Sequence, residues 1–268
     1  MITLLLLAAG TWVAGAAARQ NLVTRYPPPG DMVDVGGFKM HLRCTGSGAP
    51  TVILIAGLDD FSITWSEVQP EAAADARVCS YDRAGLGWSE ASPDARTLGN
   101  MVGELHRLLV NAHVQPPYIL AAHSFGGPIA RLYIDSHPDE VVGLVLVDAA
   151  PTALFDRIPA WSSAIEGKIK MFQVLARMNS LGLLALVPQS VPNRGFPDEA
   201  LAQYRAISAA TGYWSVAVAE NQLFRSNLAE LGAQDTASLG DMPMVVLSRG
   251  LWDPMPGFSE AQNRQAES

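Results

Sequence analysis

Ser124 lies in "AHSFGG" (Ala122 to Gly127), where the short aliphatic run "PYILAA" gives way to "GPIARLYIDSH". A serine hydroxyl at neutral pH needs a positioned base, usually a histidine that a carboxylate orients. The pattern small-x-Ser-x-Gly at a strand-to-helix junction supplies the other requirement. Such a turn forces the serine into a strained backbone conformation with its oxygen exposed, and small residues at Ala122 and Gly126 keep strand and helix from colliding. The N–H of Phe125 then falls at a helix N-terminus, where it can stabilise an oxyanion. Two aspartates are candidates for the acid: Asp253 in "RGLWDP" and Asp148 in "LVLVDAA", the latter also readable as a strand-end residue bonding loop amides. The histidines are His41, His106, His113, His123 and His137, and none follows Asp253.

These residues need a scaffold that alternates strands and helices. "KMHLRCTG" alternates at period two, and "TVILIAG", "RVCSYDRAG", "YILAAHS" and "VVGLVLVDAA" are short aliphatic runs closed by turn residues, each reading as a buried strand. Leu98, Met101, Leu105, Leu108 and Ala112 recur at helical spacing and predict an amphipathic helix, with His106 at its polar edge. From about Pro151 to Gly240 the text becomes helix-rich, with Met171, Phe172, Val174, Leu175, Met178 and "LGLLALV" supplying more apolar surface than a crossover needs. This predicts a helical cap over 151–240. "MPMVVLSRG" (Met242 to Gly250) restores a strand. The fold class is α/β: a mostly parallel sheet with helices on both faces and a helical insertion.

The motifs "PPPGDMVDVGGFKMHLRCTG", "RVCSYDRAGLGWS" and "AHSFGG" resemble those of the α/β-hydrolase superfamily, and more closely a bacterial, often membrane-anchored branch of it. The likeness runs from about Pro27 to Gly250. It implies an eight-stranded sheet, a Ser-acid-His triad in that chain order, and cofactor-free, metal-free hydrolysis of an ester, amide or related bond in a small, apolar acyl substrate. Carried onto this chain, Ser124 is the nucleophile, Asp253 the acid with Asp148 as alternative, and Leu58 and Phe125 the backbone oxyanion donors. Asp59 and Asp60 stand where relatives commonly carry glycines, and two carboxylates there oppose a developing oxyanion unless they point to solvent. His123 is structural in such proteins, projecting from the elbow on a different side. The base is therefore absent from this sequence, as are the final strand and helix that would carry it, which reads as a C-terminal truncation. The expected activity is residual, and the rival reading is a non-catalytic, membrane-associated ligand-binding remnant.

Composition sets the boundaries. The chain has 268 residues with 18 Lys+Arg against 26 Asp+Glu, a net charge of -8, and no basic run able to track phosphates, so nucleic acid is excluded as a partner and a small molecule is the default. Residues 1–26 form an uncharged apolar run and spacer ahead of the hydrolase domain at 27–268. The run "MITLLLLAAGTWVAGAAA" is just long enough for a membrane anchor and also carries the A-x-A sites of a cleaved signal. Either implies a membrane-anchored or exported bacterial protein. The resemblance makes strands two and four neighbours, which pairs Cys44 with Cys79 as a disulfide candidate in an oxidising compartment. Oligomeric state is not legible.

Overall fold

The computed structural model describes residues 2–234 and 238–248; Asp253 and the tail beyond it lie outside the described residues. The chain opens with helix α1 (Ile2–Arg25), followed by strands β1 (Asp31–Asp34), β2 (Lys39–Thr45) and β3 (Thr51–Ile55). Helix α2 (Val68–Ala72), β4 (Val78–Tyr81), α3 (Leu98–Asn111), β5 (Tyr118–His123), α4 (Gly126–Ser136) and β6 (Val141–Val147) come next. Helices α5 (Leu154–Arg157), α6 (Ala160–Ser180), α7 (Leu183–Leu186), α8 (Asp198–Ala210) and α9 (Tyr213–Ala233) intervene before β7 (Met244–Leu247).

The described strands form one sheet of seven in the order β1-β2-β4-β3-β5-β6-β7. Pairings from β4 through β7 are parallel, and β1 and β2 are antiparallel additions at one edge. Period-two alternation in the central strands divides the core. Ile53, Ile55, Leu120 and Ala122 face α3 and α4, meeting Met101, Leu105, Leu108 and Ile129. Leu54 and Ala121 face the other way, onto Trp65 and the alanines at the end of α2. Burial of each large aliphatic side chain stabilises this arrangement by about 1.5–3 kcal/mol. Helix α3 begins where its predicted apolar stripe begins, with the Thr97 hydroxyl capping Asn100 N–H at 3.3 Å.

Strands β2 and β4 are neighbours in antiparallel register, Cys44 stands directly opposite Cys79, and a disulfide joins them. Strand β7 pairs with β6, and among the described residues Met244, Val245, Val246 and Leu247 are exposed. The N-terminal helix continues past the apolar run to Arg25, and it packs on α7 and α8. Gly15 and Gly182 make this contact possible: a Cβ on Gly15 would lie 2.7 Å from the Gly182 Cα. Gly182 is also left-handed, with φ 77°, as the turn into α7 requires. Among the described residues no helix is long and apolar enough to cross a membrane.

Helices α5–α9 carry a core of their own. Phe172, Tyr204, Tyr213 and Trp214 pack with Phe61 and Leu86 from loops of the sheet domain, and Leu22 of α1 leans on the same cluster. The insertion is thus bolted to the C-terminal edge of the sheet by aromatic packing, above the point where β5 turns into α4.

Candidate active site

At that point Ser124 adopts φ 49°, a left-handed conformation that is uncommon and strained for a residue with a side chain. Three backbone hydrogen bonds fix it: Ser124 N–H donates to Val147 O at 3.1 Å, and Ser124 O accepts from Gly127 N–H and Ala150 N–H, each at 3.0 Å. Sterics demand glycine on the helix side, since a Cβ on Gly126 would sit 2.5 Å from Ile55 O and one on Gly127 would sit 2.7 Å from the Ala149 Cβ. Strand and helix approach as closely as the small-x-Ser-x-Gly pattern predicts.

Ser124 opens into a cavity of about 570 Å³. Gly57, Leu58 and Asp60 line one side, Asp148 and Ala149 another, and Leu154, Ile158, Trp161, Ile165 and Phe224 of the insertion form an apolar roof. Leu58 and Phe125 are buried, and among the described residues neither of their backbone N–H groups donates a hydrogen bond. Asp148, at φ 45°, donates its N–H to Leu247 O at 2.7 Å, so the end of β7 helps to hold this alternative acid at the cavity wall. His123 also lines the cavity, rather than projecting away from it, and packs so closely on Gly57 that a Cβ there would lie 2.9 Å from His123 Nδ1. His41 is buried elsewhere, 3.0 Å from Asp82, and His106 and His137 lie at the opposite end of the strands.

The two unusual aspartates do not point to solvent, contrary to the condition set by sequence reasoning. Asp59 is fully buried, and its carboxylate meets Lys168 Nζ at 2.6 Å, Arg194 at 2.9 Å and Asn221 Nδ2 at 3.0 Å. Burial alone raises its pKa, but the Lys168 ammonium and the Arg194 guanidinium outweigh that and hold the carboxyl below the ordinary range. Asp60 pairs with Arg194 at 3.0 Å and has its pKa raised, chiefly by burial. The insertion therefore supplies counter-charges to both carboxylates of this loop.

A second set of contacts locks the same loop from below. Arg83, from "YDRAG", donates to Ala56 O at 2.8 Å and to Gly57 O at 2.7 Å. Its other donors form a bidentate ion pair with Glu220 of α9, Nε to Oε1 at 2.7 Å and Nη2 to Oε2 at 2.8 Å. Glu220 Oε2 also accepts Asp59 N–H at 3.0 Å, and Tyr213 donates its hydroxyl to Asp59 O at 2.6 Å. Arg83 and Glu220 are both buried, and Asp59 is held at φ 50°. Sequence reasoning did not single out Arg83, Glu220, Lys168 or Arg194. The position of Arg83 inside the long middle motif was the one signal available.

Comparison with known proteins agrees with this fold. The alpha/beta hydrolase fold family matches residues 50–173, the stretch holding β3 to β6, the Ser124 turn and the loop around Leu58. The chain has the fold of the alpha/beta hydrolases. Over 105 residues it is 36% identical to the uncharacterised protein YqjL of Bacillus subtilis, covering 39% of this chain and 42% of YqjL. Over 102 residues it is 33% identical to a putative carbamate hydrolase, RutD, of Cronobacter sakazakii, covering 38% of each. The chain spans half or less of the length of the first curated relatives it matches. Among solved structures it is similar in fold to a thermophilic esterase from Thermogutta terrifontis, at TM-score 0.56 and 21% identity over 81% of this chain and 77% of the other. The epoxide hydrolase CorEH gives the same TM-score of 0.56 at 22% identity, over 81% of this chain and 80% of the other.

Proposed function

We propose that this protein is an α/β-hydrolase and uses Ser124 as a nucleophile against the acyl carbon of an ester, amide or related bond in a small, apolar substrate. The observation that carries the reading is the left-handed backbone at Ser124, held by three backbone hydrogen bonds beside the two backbone N–H groups of Leu58 and Phe125. Attack by Ser124 Oγ places negative charge on the former carbonyl oxygen, and two N–H donors, Phe125 at the N-terminus of α4 and Leu58 in the loop after β3, stabilise that charge. Helices α5–α9 act as the cap. Their apolar lining at Leu154, Ile158, Trp161 and Ile165 favours an aliphatic or aromatic acyl group, and the cavity volume limits it to a small molecule. Asp253 is the proposed acid, with Asp148, already at the cavity wall, as its alternative. Export to an oxidising compartment fits the Cys44–Cys79 bridge.

Within these 268 residues no histidine follows Asp253, and oxyanion donors and binding by themselves supply about 10³–10⁴-fold acceleration. Slow, stoichiometric chemistry at Ser124 is therefore the property to measure. A fluorophosphonate probe incubated with the full chain is expected to label Ser124, slowly, and to leave Ser124→Ala unlabelled. Equal labelling of both proteins, or none of either while a small apolar ester analogue binds the cavity, sinks the nucleophile assignment and favours a ligand-binding role.

A further inference from the structure

A second cluster of reactive side chains lies at the opposite end of the strands, before the start of β6. Residues His137-Pro138-Asp139-Glu140 form the turn between α4 and β6, with Pro138–Glu140 in a 3₁₀ turn and Glu140 N–H bonded to His137 O at 3.1 Å. Side chains three apart eclipse in a 3₁₀ turn, so His137 and Glu140 are presented on one side. Helix α3 brings His106 to the same place. One ligand atom from each of the three side chains lies within 4.8 Å of the other two.

We propose that His106, His137 and Glu140 form a binding site for a divalent transition-metal ion, Zn²⁺ by ligand type. Two imidazoles and one carboxylate are the donor set that borderline ions prefer, and three protein ligands leave one position for water. The His106 Nε2 to Glu140 Oε1 separation is 3.2 Å. Zinc bonds of about 2.0–2.1 Å to nitrogen and 2.0–2.2 Å to oxygen at a tetrahedral angle set that separation at about 3.3 Å, so the ion replaces the hydrogen bond with hardly any movement. Glu140 Oε2 is meanwhile held by the Tyr133 hydroxyl at 2.6 Å, an outer hydrogen bond of the kind that fixes a ligating carboxylate. The two imidazoles are stacked, with centroids 4.0 Å apart and planes 7° from parallel. Closing the third bond requires one ring to turn about its Cβ–Cγ bond, a torsion that is broad for histidine. Both cysteines are in the disulfide, so no thiolate competes.

The site has no part in the chemistry proposed for Ser124. Glu140 immediately precedes the N-terminal end of β6, whereas Ser124 follows the C-terminal end of the parallel strand β5. A bound ion ties α3 to the α4–β6 turn, and its effect is on stability. Zinc chloride titrated calorimetrically into the full chain is expected to show one saturable site. At a hundredfold excess over Kd the melting temperature rises by about 5–10 °C. Cobalt in place of zinc gives the visible absorption of a four-coordinate ion. His106→Ala abolishes all three signals, and Glu140→Gln, which retains the polar contacts to Tyr133 and His106, weakens binding at least tenfold while leaving the far-ultraviolet dichroism unchanged. Absence of saturable zinc binding by the unaltered chain overturns the proposal, as does binding that persists undiminished in both variants.

Discussion

Replacing Glu220 by alanine removes one acceptor group from three donors at once. Arg83 Nε and Nη2 lose their bidentate partner at 2.7 and 2.8 Å, and Asp59 N–H loses its acceptor at 3.0 Å. Arg83 is only 2% exposed, so its charge cannot be rehydrated without opening the loop. Breaking a buried pair by deleting one partner costs about 3–5 kcal/mol, and the orphaned amide adds about 1 kcal/mol or more. A loss of about 4–6 kcal/mol from a chain of this size lowers the melting temperature by roughly 10 °C or more. Glu220→Gln separates charge from hydrogen bonding: it can still accept from Asp59 N–H while leaving the guanidinium uncompensated, and it should fall between the two. The assay is thermal unfolding followed by circular dichroism, with fluorophosphonate labelling of Ser124 as the local readout. If Glu220→Ala unfolds within 1 kcal/mol of the parent, Arg83 is not held as described and the argument for a loop clamped from α9 is refuted.

Gly126→Ala places a methyl carbon 2.5 Å from Ile55 O, against backbone that cannot yield, so a destabilisation of about 1–3 kcal/mol is expected in urea unfolding together with loss of labelling at Ser124. The carboxyl of Asp59 sits below the ordinary range in the folded chain, so its contribution to stability is complete above the unfolded pKa and is lost as pH falls through the folded one. Asp59→Asn should therefore flatten the acid limb of a stability-versus-pH profile below about pH 4; an unchanged limb places the ionisation elsewhere. Gly15→Val forces a side chain into the Gly182 backbone and should free α1 from α7, read as faster amide exchange along residues 10–25 with the sheet unaffected.

Much of the sheet was legible because its signals are local. Strands β2 to β6 announce themselves as short aliphatic runs between turn residues, α3 by its apolar spacing, and the Ser124 turn by the small residues that close approach demands. Edge strand β1, four residues of "DMVD", has too little pattern to be read alone. What failed depends on partners far away in the chain. Asp59 and Asp60 read as a liability because Lys168 and Arg194, 109 and 135 positions from Asp59, bear no mark of where they fold to. Glu220 is likewise 137 residues from Arg83, within a helix whose sequence shows only that it is long. Helix α1 outruns the apolar run that precedes Arg19, because helix formation continues through any residues with adequate propensity and a surface to pack on.

The joint at Asp59 also bears on how interchangeable the parts of this molecule are. A contiguous run of helices set on a sheet invites treatment as a module exchangeable between chains of one fold. Here Lys168 of α6 and Arg194 of the 187–195 segment supply the counter-charges for a loop encoded more than a hundred residues earlier, and Glu220 of α9 supplies the counter-charge for Arg83. A chimera that imports foreign helices onto this sheet inherits two buried carboxylates and a buried guanidinium with nothing to meet them. The grafting unit is consequently a matched pair, residues 56–60 with α6–α9, and a successful exchange must transplant both or replace Asp59 and Asp60 by uncharged residues.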